Sequence, residues 1–397
     1  MKKDFIKKTA AKVLLFALPP LMAASCEKVP VPGPEDRSSA ALEEIAGIFS
    51  NLQLQKDHLR EVHSAVSASL ENGYDEEYTM ADLFSSPGSG VGSSEPETKG
   101  AATGWPSPLR DLLSDYLRNN IATRSESGAY ASADEYIAAL AASDIQIYWP
   151  YSENWNGESY PIITFDPGSE VQSNIGYQMS EKGCVGEVVV NEKKAEAGNV
   201  WVMNRNDDSG YRTLEMLLRE NPDLGGGHIT VNTKSAGDYS GTRTLLLKSF
   251  EARRNYDCWF AGASEFFIKV GAVEDFLAST EAEMKLYSAE VTDFMLVVKR
   301  SEVGHPIPLD VVLISEYTDQ MDQFAFLITE DDGGTRTTWR TSAVVKVQSK
   351  SYGFEVELPL NSRDDIVWRG KLARGFIEKN NGQEAHLGDV YVTFGLE

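Results

Sequence analysis

The second half of the chain constrains the fold most. From about Gly226 to Glu397, short runs rich in β-branched and aromatic residues follow one another, each closed by Gly, Asp, Asn or Pro. HITVN, RTLLLKSFEARR, CWFAGASEFFIKVGAV, VTDFMLVVKR, LDVVLISEY, QFAFLITE, AVVKVQ, YGFEVELPL and DVYVTFGL all have the length and punctuation of strands. In VVKVQ and FEVELPL apolar and polar residues alternate, so one face turns to a core and the other to water. Strands in such number, joined by tight turns and without helical runs between them, predict an antiparallel sandwich over 226–397.

The first half has a different period. Leu42, Ile45, Ile48, Phe49, Leu52, Leu59, Val62 and Val66 recur at steps of three and four, and Gly73 follows where a helix would stop. This predicts a helical segment over 38–83 with one apolar face. SSPGSGVGSSEPETKGAATGWPSP has no apolar period and reads as a flexible linker over 84–106; its glycines lack the spacing of a phosphate cradle. A mixed region over 107–225 opens with two helices, one beginning at Pro108 and one capped by Ser132 with Glu135. Strand-like runs IQIYWP, YPIITF, VGEVVVN and NVWVMN follow, with Asn156-Gly157 as a turn. The fold class expected is α+β, with N-terminal helices followed by a mainly antiparallel β region and a C-terminal β-sandwich.

The first 25 residues stand apart from both halves. Lys2, Lys3, Lys7, Lys8 and Lys12 form a basic start, Val13 to Ala24 an apolar run, and Ala23-Ala24-Ser25 a set of small residues before Cys26. The run is too short to span a bilayer, which takes about 20 apolar residues, and it carries Pro19 and Pro20. LMAASC resembles the leader of bacterial lipoproteins, with Ala23 where that family usually has Leu. The resemblance covers the leader alone. It implies cleavage after Ser25, lipidation of Cys26 and a chain held at the envelope membrane, the outer membrane of a Gram-negative cell. Secretory cleavage without lipid is the alternative. Pro30, Pro32 and Pro34 then make 26–37 an extended tether.

Charge narrows the partners. The chain carries 37 Lys and Arg against 60 Asp and Glu, a net −23, and loss of the lysine-rich leader makes it more acidic. Such a surface repels polyphosphate, so nucleic acid is excluded as a partner. Cys184 and Cys258 are either a disulfide, as an oxidising compartment permits, or two buried thiols.

Few residue patterns suggest chemistry. Tyr148, Trp149, Tyr151, Trp155 and Tyr160 could form a stacking platform for a glycan or an envelope protein, or simply fill a core. Asn204, Asn206, Asp208 and Glu215 stand at positions 1, 3, 5 and 12 of a calcium loop, with Ser209 where the sharp-turn Gly belongs. A polar strand-to-helix connection explains them equally. Turn acids Asp319, Asp322, Asp331, Asp332, Asp364 and Asp365 faintly resemble the calcium-gathering loops of C2-type sandwiches. His58 and His63 lie five apart, about 140° around a helix, which is wrong for a shared metal. GxSxG, HExxH, CxxC and GxxxxGK[ST] are all missing. The function expected is therefore a membrane-tethered, non-catalytic binding or scaffold module with no obligatory cofactor. The alternatives are a glycan hydrolase with paired carboxylates and a calcium-stabilised, adhesin-like module.

Overall fold

In the computed structural model, residues 34–85, 107–124, 132–168, 171–179, 185–206, 211–225, 242–332 and 335–397 are described. HITVN and all of the expected linker except Phe84, which ends a helix, and Ser85 therefore lie outside the described residues. The N-terminal half contains α1 (Pro34–Ser50), α2 (Lys56–Glu71), β1 (Glu77–Thr79), α3 (Met80–Phe84), α4 (Pro108–Arg124) and α5 (Ala133–Ala141). It continues with β2 (Ile145–Tyr148), β3 (Ile162–Phe165), β4 (Ser173–Gln178), β5 (Gly186–Asn191), α6 (Glu192–Glu196), β6 (Val200–Arg205) and α7 (Leu214–Glu220). The apolar period that begins at Leu42 thus belongs to two helices. They part at Leu52 and Leu54, which are both buried two residues apart, a spacing an unbroken helix cannot place on one face.

Six strands make one sheet in the order β1-β2-β6-β3-β4-β5, antiparallel except where β3 runs beside β6. β1 precedes the linker and pairs with β2 beyond it, so the segments on either side of the linker fold as one unit. Alternation in β6 sends Trp201 and Met203 under the helices, where Phe49, Leu59, Val62 and Leu113 close a core. Val200 and Val202 point the other way and meet Trp259 and Phe260 from the C-terminal half.

That half is built of β7 (Arg243–Ala252), β8 (Ser264–Ala272), α8 (Glu281–Met284), β9 (Glu290–Val298), β10 (Ile307–Tyr317) and β11 (Met321–Glu330). After these come β12 (Arg336–Val347), β13 (Lys350–Asn361), β14 (Asp365–Ala373), α9 (Arg374–Lys379), β15 (Glu384–Leu387) and β16 (Val390–Leu396). One sheet is ordered β10-β7-β16-β15 and the other β13-β12-β11-β8-β9, with β14 also on β11. Every pairing in both is antiparallel. Leu245, Leu247, Phe250, Val392 and Phe394 of the first face Phe266, Ile268, Phe324, Phe326 and Ile328 of the second across one core. The architecture is α+β with a sandwich-like C-terminal half.

β8 joins the halves. Every residue along it is buried, because the sandwich core covers one face while the N-terminal half, at Phe267, and β13, at Lys269 and Gly271, cover the other. Phe267 packs with Met295, Tyr74, Tyr211 and Met216 there, its ring 4.8 Å from that of Tyr211.

Two glycines test the turns around β15. Gly388 sits at φ +63°, and a Cβ there would lie 2.0 Å from the Val367 carbonyl oxygen, whereas Gly382, at φ +70°, has open space around it. Gly388→Ala is expected to lower the unfolding free energy by about 3 kcal/mol, backbone strain plus the clash. Gly382→Ala bears the strain alone, about 1 kcal/mol. Denaturant melts of both variants check the difference.

Candidate functional site

Polar groups gather where the two halves meet. α2 ends at Gly73 with φ +76°, and the chain then turns inward through Asp75, Glu76 and Glu77, which are 4%, 2% and 3% exposed. Three consecutive acids at that depth must be met by donors. Glu76 accepts from Ser152 N and Ser152 Oγ, both at 2.7 Å, and from Tyr151 N at 3.0 Å, which caps the short turn Ser152–Asn154. Asp75 accepts from Glu76 N at 2.7 Å and, across the seam, from Ala263 N at 2.9 Å. Glu77 accepts from Asn206 Nδ2 at 2.7 Å, and the same amide reaches Gln146 Oε1 at 2.7 Å. Asn204 Nδ2 donates to the Ala261 carbonyl.

The facing wall is the loop after β7 together with the ends of β8 and β11. Arg300, its side chain 6% exposed, threads this wall. Its Nε donates to Gly262 O at 3.0 Å, its Nη1 to Glu192 Oε1 at 2.8 Å and its Nη2 to Asp257 O at 2.7 Å. One guanidinium thereby ties α6 of the N-terminal half to the loop of the other, in the fork geometry that Lys lacks. Asp257, Glu265 and Glu330 stand together here, with one ligand oxygen from each lying within 4.8 Å of the others. A small cavity beside them, lined by Asp75, Glu77, Gln146, Asp257, Gly262 and Glu265, has room for about one water-sized guest, ≈ 10 Å³. Asp257 also faces an outer cleft of ≈ 350 Å³ shared with Gln172, Glu192, Asn255, Trp259 and Arg300.

Two ionised carboxylates 4.8 Å apart repel by roughly 3.5 kcal/mol at an effective dielectric constant of about 20. Burial, and then the neighbouring Asp257, accordingly hold the Glu330 carboxyl far above the ordinary glutamate range. The site must be neutralised by a proton or by a cation. A cavity of this size has no room for a sugar ring.

The residues singled out in the sequence have other surroundings. Tyr148 and Trp149 are both 0% exposed and, as strand neighbours, point into different cores. Trp155 and Tyr160 are half-buried against the helical core and Tyr151 against the seam. These five therefore do not share an exposed platform; Trp149 stacks 5.4 Å from Trp155 and 5.6 Å from Trp201 inside the fold. His63 completes that aromatic group, and His58 Nδ1 accepts from Gln55 N as a helix cap. Glu61, between the two histidines, caps α4 through Leu109 N at 2.8 Å.

Of the calcium-loop candidates, Asn204 and Asn206 do reach the acidic seam, but their Nδ2 groups face it as donors. Asp208 lies outside the described residues, and Glu215 sits in the first turn of α7 against Gly73. Asp331 and Asp364 are joined by Asn361, whereas Asp319 and Asp322 pair elsewhere with Arg374 and Lys346. Cys258 is a half-buried thiol whose Sγ donates to Val171 O at 3.3 Å; Cys26 and Cys184 lie outside the described residues. Comparison of the chain with protein-family models, curated proteins and solved structures gave no match.

The raised Glu330 carboxyl gives a pH signature. With divalent ions removed, the folded state holds a proton there that the unfolded chain, near 4.5, has released. Stability therefore falls as pH rises past 4.5 and continues to fall through neutrality. Denaturant melts at pH 5 and pH 8 in chelator should show this loss, and Glu330→Gln should reduce it.

Proposed function

We propose that this chain is a non-catalytic binding or scaffold module of the bacterial envelope, tethered through lipid on Cys26, and that its partner is an envelope protein. The observation that carries the binding reading is the free end of the N-terminal sheet. β5 is the last strand there, and among the described residues only β4 pairs with it. Ile175 and Val189 are cross-strand partners on β4 and β5 and are 49% and 67% exposed, with Val171 and Val185 also exposed nearby. Single exposed aliphatics need no explanation, but a paired set on an open strand edge suits a partner that adds a strand and seats side chains on the pair. Sheet edges left in this state also invite aggregation, which a resident partner prevents.

The tether rests on the leader. Among the described residues no helix is long and apolar enough to cross a membrane. Pro34 already begins α1, so the tether expected over 26–37 would be confined to the stretch from Cys26 to Gly33.

Two measurements test this reading. Cys26→Ala, produced in a Gram-negative host, should lose palmitate labelling and leave the membrane fraction; a variant that stays membrane-bound refutes the anchor. A photo-crosslinking residue at position 189 should trap a discrete protein in cells, and Ile175→Asp should abolish the product without lowering the melting temperature. A crosslinker at 189 that yields no product refutes the edge as the binding surface.

A further inference from the structure

We propose that Asp257, Glu265 and Glu330 hold a divalent cation of the oxygen-preferring class, Ca²⁺ foremost, within the seam between the two halves.

Glu330 carries the argument. It is 0% exposed, and neither of its carboxylate oxygens meets a donor in good hydrogen-bond geometry, its polar neighbours being the Asp257 carboxyl and the Ser264 hydroxyl. Its surroundings make this unusual, since the fold supplies three donors to buried Glu76 and two backbone amides to buried Asp75. The hydroxyl of Ser264, on the adjoining strand, donates to Asn255 Oδ1 at 2.9 Å. Arg300 reaches Asp257 through the backbone carbonyl and directs its other donors to Glu192, Gly262 and Asn255. An ionised carboxylate buried in this way calls for a positive partner.

The geometry selects the class of ion. All three donors are carboxylate oxygens, which suit hard cations; zinc and copper favour nitrogen or sulfur. Ca²⁺ binds oxygen at about 2.3–2.6 Å, so two ligands of one ion stand up to about 5 Å apart. These oxygens all lie within 4.8 Å of one another, so one Ca²⁺ can bridge them, and Mg²⁺ sheds its water less readily to enter such an all-protein site. The adjoining cavity admits about one water, which could complete the coordination shell, and Asp257 at the outer cleft gives a route from solvent.

An ion here would act on the whole molecule. Asp75 and Glu77 of the N-terminal half line the same cavity, so the charge would draw both halves onto one centre. This site is distinct from the Asn204–Glu215 stretch and does not depend on the lipid anchor or on the β5 edge.

The test uses the full chain, stripped with chelator, desalted and titrated separately with Ca²⁺, Mg²⁺ and Mn²⁺ by calorimetry and thermal melting. The expected result is one Ca²⁺ per chain, a melting temperature raised by about 5 °C at a hundredfold excess over Kd, and weaker Mg²⁺ binding. Glu330→Gln should lose both the bound ion and the Ca²⁺ response. Should that variant fail to fold, Glu265→Gln gives the same reading. Stripped wild-type chain that takes up no Ca²⁺ at millimolar concentration overturns the proposal and leaves a proton shared by Asp257 and Glu330 as the neutralising charge. Wild-type affinity retained in both variants also overturns it, by placing the ion elsewhere.

Discussion

The burial of charge at the seam is the constraint on which the arrangement of the two halves depends. Asp75, Glu76 and Glu77 enter a region closed to water and need donors from elements far away in sequence: Ala263, Ser152 and Asn206. Arg300 answers from the opposite side by bonding Glu192 and the loop at Asp257. Neither half could keep these groups dry alone, since separation would leave several acids and a guanidinium in need of solvent. The apolar contacts of Trp259 and Phe260 with the N-terminal sheet supply the attraction, and the polar groups fix one relative placement.

Much of the fold was legible because its elements follow simple periods. Among the described residues, most strands of the C-terminal half, the start of α4 at Pro108 and the Ser132 cap of α5 stand where the residues indicate, whereas β14 and β15 had no run of their own. What the residues did not disclose was pairing. β1 lies before a linker-like stretch and joins β2 after it, a long-range contact invisible to local pattern. β2 and β3 flank the Asn156-Gly157 turn, yet β6 is inserted between them. β14 was hidden because Arg369 and Lys371 alternate through it and mask its apolar positions.

The site was less legible than the fold. Asp257, Glu265 and Glu330 come from a loop and two different strands, so no spacing unites them. Their only local mark is an acid at the end of an apolar run, as in SEFFIKV and FAFLITE. The segments that looked functional had structural uses instead. A dense aromatic run reads alike whether it covers a surface or fills two cores, and Tyr148 and Trp149 fill cores. Glu61, set between two histidines, caps a helix; of the alternating asparagines before Glu215, Asn204 donates across the seam and Asn206 to Glu77 within its own half.

The order of β10-β7-β16-β15 has a consequence for how such a chain comes to be folded. β7 opens the C-terminal half and β16 closes it, yet they are neighbours, with Leu245 opposite Leu396. In a chain delivered from its N-terminal end, β7 presents an open edge during nearly all the time its own sheet is being supplied. Closing so long a loop is slow, and an unpaired apolar strand meanwhile attracts other chains. The sandwich is therefore sealed late, by the short stretch from Val390 to Leu396, and shortening that stretch would expose the core at Phe394 rather than trim a loose end.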